Sequence, residues 1–319
     1  MRTPFDLVAD RFTLSPRALR WASTSALIVS ILIILTGGVV RVTGSGLGCP
    51  TWPNCNPDSL APTGEMGIHG VIEFANRLFS AFIAVPVAWV IIAARLQKPR
   101  QRSLTRLAWS QFWLVVANAV AGGFTVLAGL NPWIVAMHFV LAIALLTTTT
   151  LTWHRVHETV PATPVPTVPG TRGLSWALVI ATLVLIVVGT LVTGSGPHSG
   201  DSAEVKRIPL DWTAITIVHG ILGLGVLVLA VALWIMLRRE SRAVLARLRT
   251  IVFIAVVIAQ GAIGVTQALD ALPALLVALH LLGAALVWVG ALRVLLEVNP
   301  TLFRGVVREQ FLPQEALSL

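Results

Sequence analysis

Charge is scarce in this sequence: Asp, Glu, Lys and Arg make up 12% of its 319 residues, where soluble globular domains carry about a quarter. Beside 56% hydrophobic residues, that shortage excludes a water-soluble fold and makes the bilayer the expected solvent. Long polar stretches are missing too, so no sizeable extramembrane domain can form, and any chemistry must sit among helices. The net charge of +9 is not gathered into one basic stripe, which excludes nucleic acid as the expected partner. The first 20 residues hold Asp6, Asp10 and four arginines but no short apolar core with a small-residue cleavage site. They read as a cytoplasmic tail leading into a retained helix, not as a signal peptide.

Apolar runs place helices at roughly 21 to 41, 67 to 94, 107 to 129, 133 to 153, 174 to 193, 212 to 237, 250 to 269 and 272 to 295, each long enough to cross the hydrocarbon. Arg95, Lys98, Arg100, Arg102 and Arg106 follow the second run, and Arg238, Arg239, Arg242, Arg247 and Arg249 the sixth. The opposite loops carry little beyond Arg41, Lys206 and Arg207. The positive-inside rule then puts both termini in the cytoplasm. After Val160 the chain reads PATPVPTVPGTR up to Arg172, a proline density that excludes helix and suits a semi-rigid linker. The expected organisation is a tail (1–20), an N-terminal half (21–159), a linker (160–173), a C-terminal half (174–296) and a second cytoplasmic tail (297–319).

The halves resemble each other. Val42-Thr43-Gly44-Ser45-Gly46 returns as Val192-Thr193-Gly194-Ser195-Gly196, an offset of 150 that also carries His69-Gly70 onto His219-Gly220. Val135-Ala136-Met137-His138 matches Val277-Ala278-Leu279-His280. Four spans per half give both halves the same orientation, so the repeat is parallel, about an axis along the membrane normal. The expected fold is all-α integral membrane: eight transmembrane helices as two pseudo-symmetric four-helix bundles.

Four of the seven histidines, His69, His138, His219 and His280, lie on the even helices, within about two turns of the outer end by the roughly 1.5 Å rise per residue. One intramembrane imidazole is readily satisfied by an interhelical hydrogen bond. Four at one depth, one per equivalent helix, suit iron porphyrin, which takes axial imidazoles from opposite faces. No second ligand sits on the same helix, as a zinc motif would need. His154 and His157 are expected to be solvated loop residues, and His198 to touch a heme propionate or to shape a turn.

Of 14 acidic residues only Glu73 falls well inside a span, where a carboxylate marks function or an ion pair. Arg77 follows four residues on, and Asn76 on a neighbouring face. Under the 150 offset Glu73 meets Gly223 and Arg77 meets Leu227, so the acid and base belong to one half only. Cys49 and Cys55, the two cysteines, share the first external loop, where a disulfide is simplest and a redox-active pair the alternative.

The segment Gly37-Gly38-Val39-Val40-Arg41-Val42-Thr43-Gly44-Ser45-Gly46-Leu47-Gly48-Cys49-Pro50-Thr51-Trp52-Pro53-Asn54-Cys55, with Ile72-Glu73-Phe74-Ala75-Asn76-Arg77, resembles the heme A synthases. The likeness implies oxidation of the C8 methyl group of heme O to a formyl group, giving heme A for cytochrome oxidase. It implies a substrate heme in the N-terminal half and a heme b in the C-terminal half, in a bacterial plasma membrane. His138 would face the substrate, His219 and His280 would hold heme b, and Glu73 would be the catalytic acid, beside Asn76 and Arg77. Heme O synthase, cytochrome oxidase assembly factors and membrane lipid are the implied partners, and a homo-oligomer is left open. One departure is plain: Asn76 stands where the commonest family pattern has a histidine. Either His69 supplies that ligand or His138 holds substrate iron alone. A diheme cytochrome b and a secondary transporter with parallel repeats are the rival readings.

Overall fold

The computed structural model describes residues 11–157, 168–198, 200–201, 206–241 and 243–300. The expected tails beyond these limits and most of the proline-rich linker (158–167) lie outside the described residues. The chain folds into α1 (Pro16–Val42), α2 (Gly67–Phe82), α3 (Ala84–Arg95), α4 (Arg102–Leu127), α5 (Pro132–His157), α6 (Thr171–Ser195), α7 (Trp212–Leu237), α8 (Val244–Leu269) and α9 (Ala274–Val298). No β-strand occurs among the described residues. Eight spans are long and apolar enough to cross a membrane, so this is a multi-pass membrane protein.

The second span was expected as one helix; it is two, α2 and α3, meeting at Ile83. Pro86 is the reason, because it has no N–H for the carbonyl of Phe82 and its ring crowds that oxygen. Elsewhere the ends are capped as their sequence dictates. Ser15 Oγ accepts from Ala18 N ahead of Pro16, and Asp211 Oδ1 accepts from Ala214 N at 2.7 Å. The repeated pentapeptide behaves differently in its two settings. Gly44 takes φ +63° and α1 stops before it, whereas α6 continues through Gly194 to Ser195. The Gly194 carbonyl is taken by Ile208 N at 3.0 Å, a partner that the first copy lacks.

Within each half neighbouring spans pack side by side and close on themselves: α1, α2/α3, α4 and α5 in one, α6 to α9 in the other. The halves meet through α1, α5, α6 and α9. Packing is tight at the end carrying the basic loops. There Leu19, Ala22, Ala26, Val87, Val90, Ala94 and Ala108 form one cluster, and Leu178, Val226, Leu233, Phe253, Ala285 and Ala291 belong to another. Between membrane helices small residues such as these alanines permit the close approach that dispersion needs, since lipid supplies little hydrophobic drive. Side-chain bonds across helices add to this: Gln111 Nε2 donates to Thr152 Oγ1 at 2.7 Å and Trp288 Nε1 to Thr147 Oγ1 at 2.8 Å, each worth about 0.6 kcal/mol.

At the opposite end packing loosens. In α7 the buried residues are Val226, Ala230, Leu233 and Leu237, and in α8 Ala246, Thr250, Phe253 and Val257; both sets lie toward the basic end. α5 likewise buries nothing before Ile143. His138 and His219 sit in the loosely packed stretches, and His280 lies at the same level. The loop after α1 clasps the C-terminal half across this end. Arg41 donates to the carbonyls of His198 (2.8 Å) and Thr193 (2.7 Å), Gly46 N to Gly200 O at 2.7 Å, and Leu47 N to Asp201 Oδ2 at 3.0 Å.

Candidate functional site

In the C-terminal half His219 from α7 and His280 from α9 face each other, with ring centroids 6.3 Å apart and planes at 69°. Neither ring makes a hydrogen bond of proper geometry among the described residues. Nδ1 of each is buried without a partner, although the Leu185 carbonyl lies beside His219 and that of Gln260 beside His280. Buried imidazoles ordinarily find partners; these two keep nitrogens free. One metal held between two imidazoles needs a nitrogen–metal bond of about 2 Å on each side plus roughly 1.1 Å from nitrogen to ring centre, about 6.2 Å in all. A metal centre would fit between two imidazoles at this spacing. Among the described residues no group of three or more His, Cys, Asp and Glu could hold a bare metal ion, whereas two facing imidazoles could serve a metal that arrives in a chelating macrocycle.

The N-terminal half is built differently. Buried Glu73 on α2 accepts from Cys49 N through Oε2 at 2.6 Å. Its Oε1 accepts from Arg77 Nε at 3.1 Å and Nη2 at 2.5 Å. Arg77 then reaches over the loop, donating to the carbonyls of Cys49 (2.8 Å), Thr51 (2.9 Å), Asn54 (3.1 Å) and Pro53 (3.4 Å). The helix period put Glu73 and Arg77 together; the third partner, Cys49 N, comes from the loop. Both carboxylate oxygens thus carry charge-assisted or backbone bonds, and the acid anchors the loop whatever else it does.

His69, one turn nearer the helix start, has Nδ1 3.0 Å from Ser45 Oγ, and Ser45 Oγ pairs with Thr43 Oγ1 at 2.8 Å. No ring contact joins His69 to His138 among the described residues, in contrast to the pair in the other half. Asn76 Oδ1 is buried without a hydrogen bond, an amide oxygen left available beside Glu73. Trp52 from the loop inserts its indole against Gly123 of α4, where a Cβ would sit 2.6 Å from Cδ2.

Cys49 and Cys55 are disulfide-bonded, with Cα atoms 4.3 Å apart, and both are fully buried. Closing a ring this small restricts the unfolded chain by about 2 kcal/mol. Cys55→Ser is expected to cost stability of that order, seen as lower accumulation and a thermal midpoint lowered by several degrees, while leaving turnover per folded molecule unchanged. Wild-type stability with lost turnover would instead mark a redox pair.

His154 and His157, expected as solvated loop residues, belong to the last turn of α5 and are half-buried. His157 stacks on Trp153 at 4.7 Å and its Nδ1 donates to the Trp153 carbonyl at 2.9 Å. His198 Nε2 donates to Leu272 O at 2.9 Å, tying the loop after α6 to the one before α9. Sequence reasoning passed over Trp52, Ser45 and Arg41 as a clasp. For Trp52 the available signal was its place between two prolines in a loop too short to hide it.

A family model described as cytochrome oxidase assembly protein (COX15-CtaA) matches residues 20–292. The chain is 32% identical over 124 residues to a protein named heme A synthase from Lysinibacillus sphaericus, covering 39% of this chain and 40% of that one. It is 28% identical to a heme A synthase from Symbiobacterium thermophilum (61% and 64% covered) and 26% identical to one from Staphylococcus epidermidis (62% and 65%). The matched stretch is thus less than two thirds of the length of each of these relatives.

Proposed function

The chain belongs to the cytochrome oxidase assembly protein family, and from that premise we propose that it is a heme A synthase, an oxidoreductase that converts the C8 methyl group of heme O to the formyl group of heme A. The observation that carries the reading is the facing pair His219 and His280, whose rings stand 6.3 Å apart with nitrogens unused.

His219 and His280 would hold heme b between α7 and α9. When bound, heme b supplies a one-electron relay. The N-terminal half takes the substrate heme, with His138 on one face and His69 as the candidate on the other. Asn76, with its unpaired carbonyl oxygen, occupies the place of the family's usual histidine and lines the site without serving as a strong iron ligand. Glu73 is the catalytic acid. Each methyl C–H oxidised leaves a proton to be taken up, and a carboxylate also stabilises positive charge developing at the carbon. Oε2 accepts only from Cys49 N, so Glu73 has a lone pair left to take up a proton while its bonds to the loop and to Arg77 stay in place. Arg77 holds the acid in place and links it to four loop carbonyls.

The wider reading follows the same lines. The two halves are a duplication in which one copy kept a cofactor site and the other became the reaction chamber. The protein lies in a bacterial plasma membrane with both termini cytoplasmic, receives heme O from heme O synthase, and passes heme A to cytochrome oxidase assembly. Hemes extracted with acid from a host that expresses this chain and makes heme O are expected to include heme A, absent from the host without it. A purified protein with no heme absorbance would favour a transporter, and one with heme but no heme A formed would favour an electron-transfer cytochrome b.

A further inference from the structure

Three of the four membrane histidines rest against a glycine on the preceding span. A Cβ on Gly122 of α4 would lie 3.3 Å from Cε1 of His138. On Gly189 of α6 it would lie 3.1 Å from Cε1 of His219, and on Gly264 of α8, 3.3 Å from Cε1 of His280. These separations are tighter than nine in ten real Cβ contacts, so a side chain at any of the three positions would push the ring by a few tenths of an ångström. Glycine as such is not the cause, since Gly220, Gly225 and Gly261 on α7 and α8 face nothing within 4 Å. The arrangement also follows the internal repeat. His138 and His280 are 142 residues apart, and so are Gly122 and Gly264.

A glycine bares the backbone carbonyl one turn earlier. For Gly189 that carbonyl belongs to Leu185 and for Gly264 to Gln260, the two that lie beside the imidazoles of His219 and His280. An axial imidazole works best when its far nitrogen gives its proton to a carbonyl, which fixes the tautomer and leaves the other lone pair for the metal. The glycine lies nearest the Cε1–Nδ1 edge of His219 and His280 and the Cε1–Nε2 edge of His138.

The fourth histidine has no socket. The 150 offset that carries His69 onto His219 carries Val39 onto Gly189, so the first copy has a branched side chain where the second has glycine. His69 is held instead through one hydroxyl, Ser45 Oγ, at 3.0 Å.

We propose that Gly122, Gly189 and Gly264 are positioning residues that set the rotation and depth of the His138, His219 and His280 imidazoles for iron, while His69, lacking such a socket, is the adjustable side. Resting on the heme reading above, this accounts for a difference that the function demands. A cofactor that stays is gripped by two socketed rings, and a heme that must enter and leave is gripped by one.

The test uses purified holoprotein and reads bound heme per chain, the low-spin EPR spectrum and the midpoint potential, none of which a purely structural glycine would move. Gly189→Val and Gly264→Val are expected to lower heme b affinity about tenfold or more, as loss of outer-shell support does at metal sites. Gly189→Ala is expected to retain heme b with a shifted potential and altered EPR spectrum, and it gives the same answer if the valine variants do not accumulate. Gly225→Val, facing open space on α7, should leave all three readouts at wild-type values. Gly122→Val should weaken heme O binding and spare heme b. Unchanged heme content, potential and EPR spectrum in the Gly189 and Gly264 variants would overturn the sockets while leaving the heme reading intact. A wild-type protein with no low-spin heme would overturn that reading itself.

Discussion

Replacing His280 with alanine is expected to strip the low-spin heme from the purified protein and to reduce heme A formation by about 100-fold or more, since even outer-shell partners of metal ligands are worth about 10–100-fold. His219 and His280 have ring centroids 6.3 Å apart, so on the proposed reading removing either ring would leave iron with one protein ligand. His219→Ala should therefore match His280→Ala, and the double variant should be no worse than either single one, because both rings serve one centre. The fold should survive, since neither ring bonds to another side chain among the described residues and most of the buried packing lies toward the other end of α7 and α9. Visible spectra of the reduced protein and heme content per chain check this. A His280→Ala protein with the full low-spin spectrum would remove the cofactor assignment for the C-terminal half.

Glu73→Gln is expected to lower conversion of heme O by about 10²–10⁴, the usual range for a positioned acid–base group, with heme b content unchanged. Glutamine keeps the shape and can still accept from Cys49 N, but it loses the charge that faces Arg77. The guanidinium retains its four loop carbonyls, so the loop stays in place and loss of turnover is separated from loss of structure. Proteolysis of the loop from the outer face measures the second quantity. If Glu73→Gln turned over heme O at the wild-type rate, the carboxylate would be only an anchor for the disulfide loop.

How much of this was written in the sequence varies by element. The eight spans were legible because desolvating backbone in lipid demands runs of apolar residues long enough to cross, and no tertiary contact can supply them. The Glu73–Arg77 pair was legible because four residues make one helical turn. The break at Ile83 had its cause in view, Pro86, yet a hydropathy window averages over a kink and shows one span. The loop over Glu73 was not legible: Cys49 N–H, Trp52 against Gly123 and the bonds from Arg77 join segments whose approach depends on how α2 and α4 are spaced. Nor could composition place His157, which leaves solvent because Trp153 and Thr24 happen to meet it at the end of α5.

By itself the sequence determined a membrane solvent, the number of crossings, the repeat and the depth of the histidines, since hydropathy and helical rise are properties of each segment alone. Tertiary structure decided which imidazoles meet. It also decided that Val-Thr-Gly-Ser-Gly ends a helix in one half and continues it in the other, and that glycines on neighbouring spans make room for three rings and not the fourth. Those are matters of distance between helices, and that distance is set by packing between segments far apart in the chain.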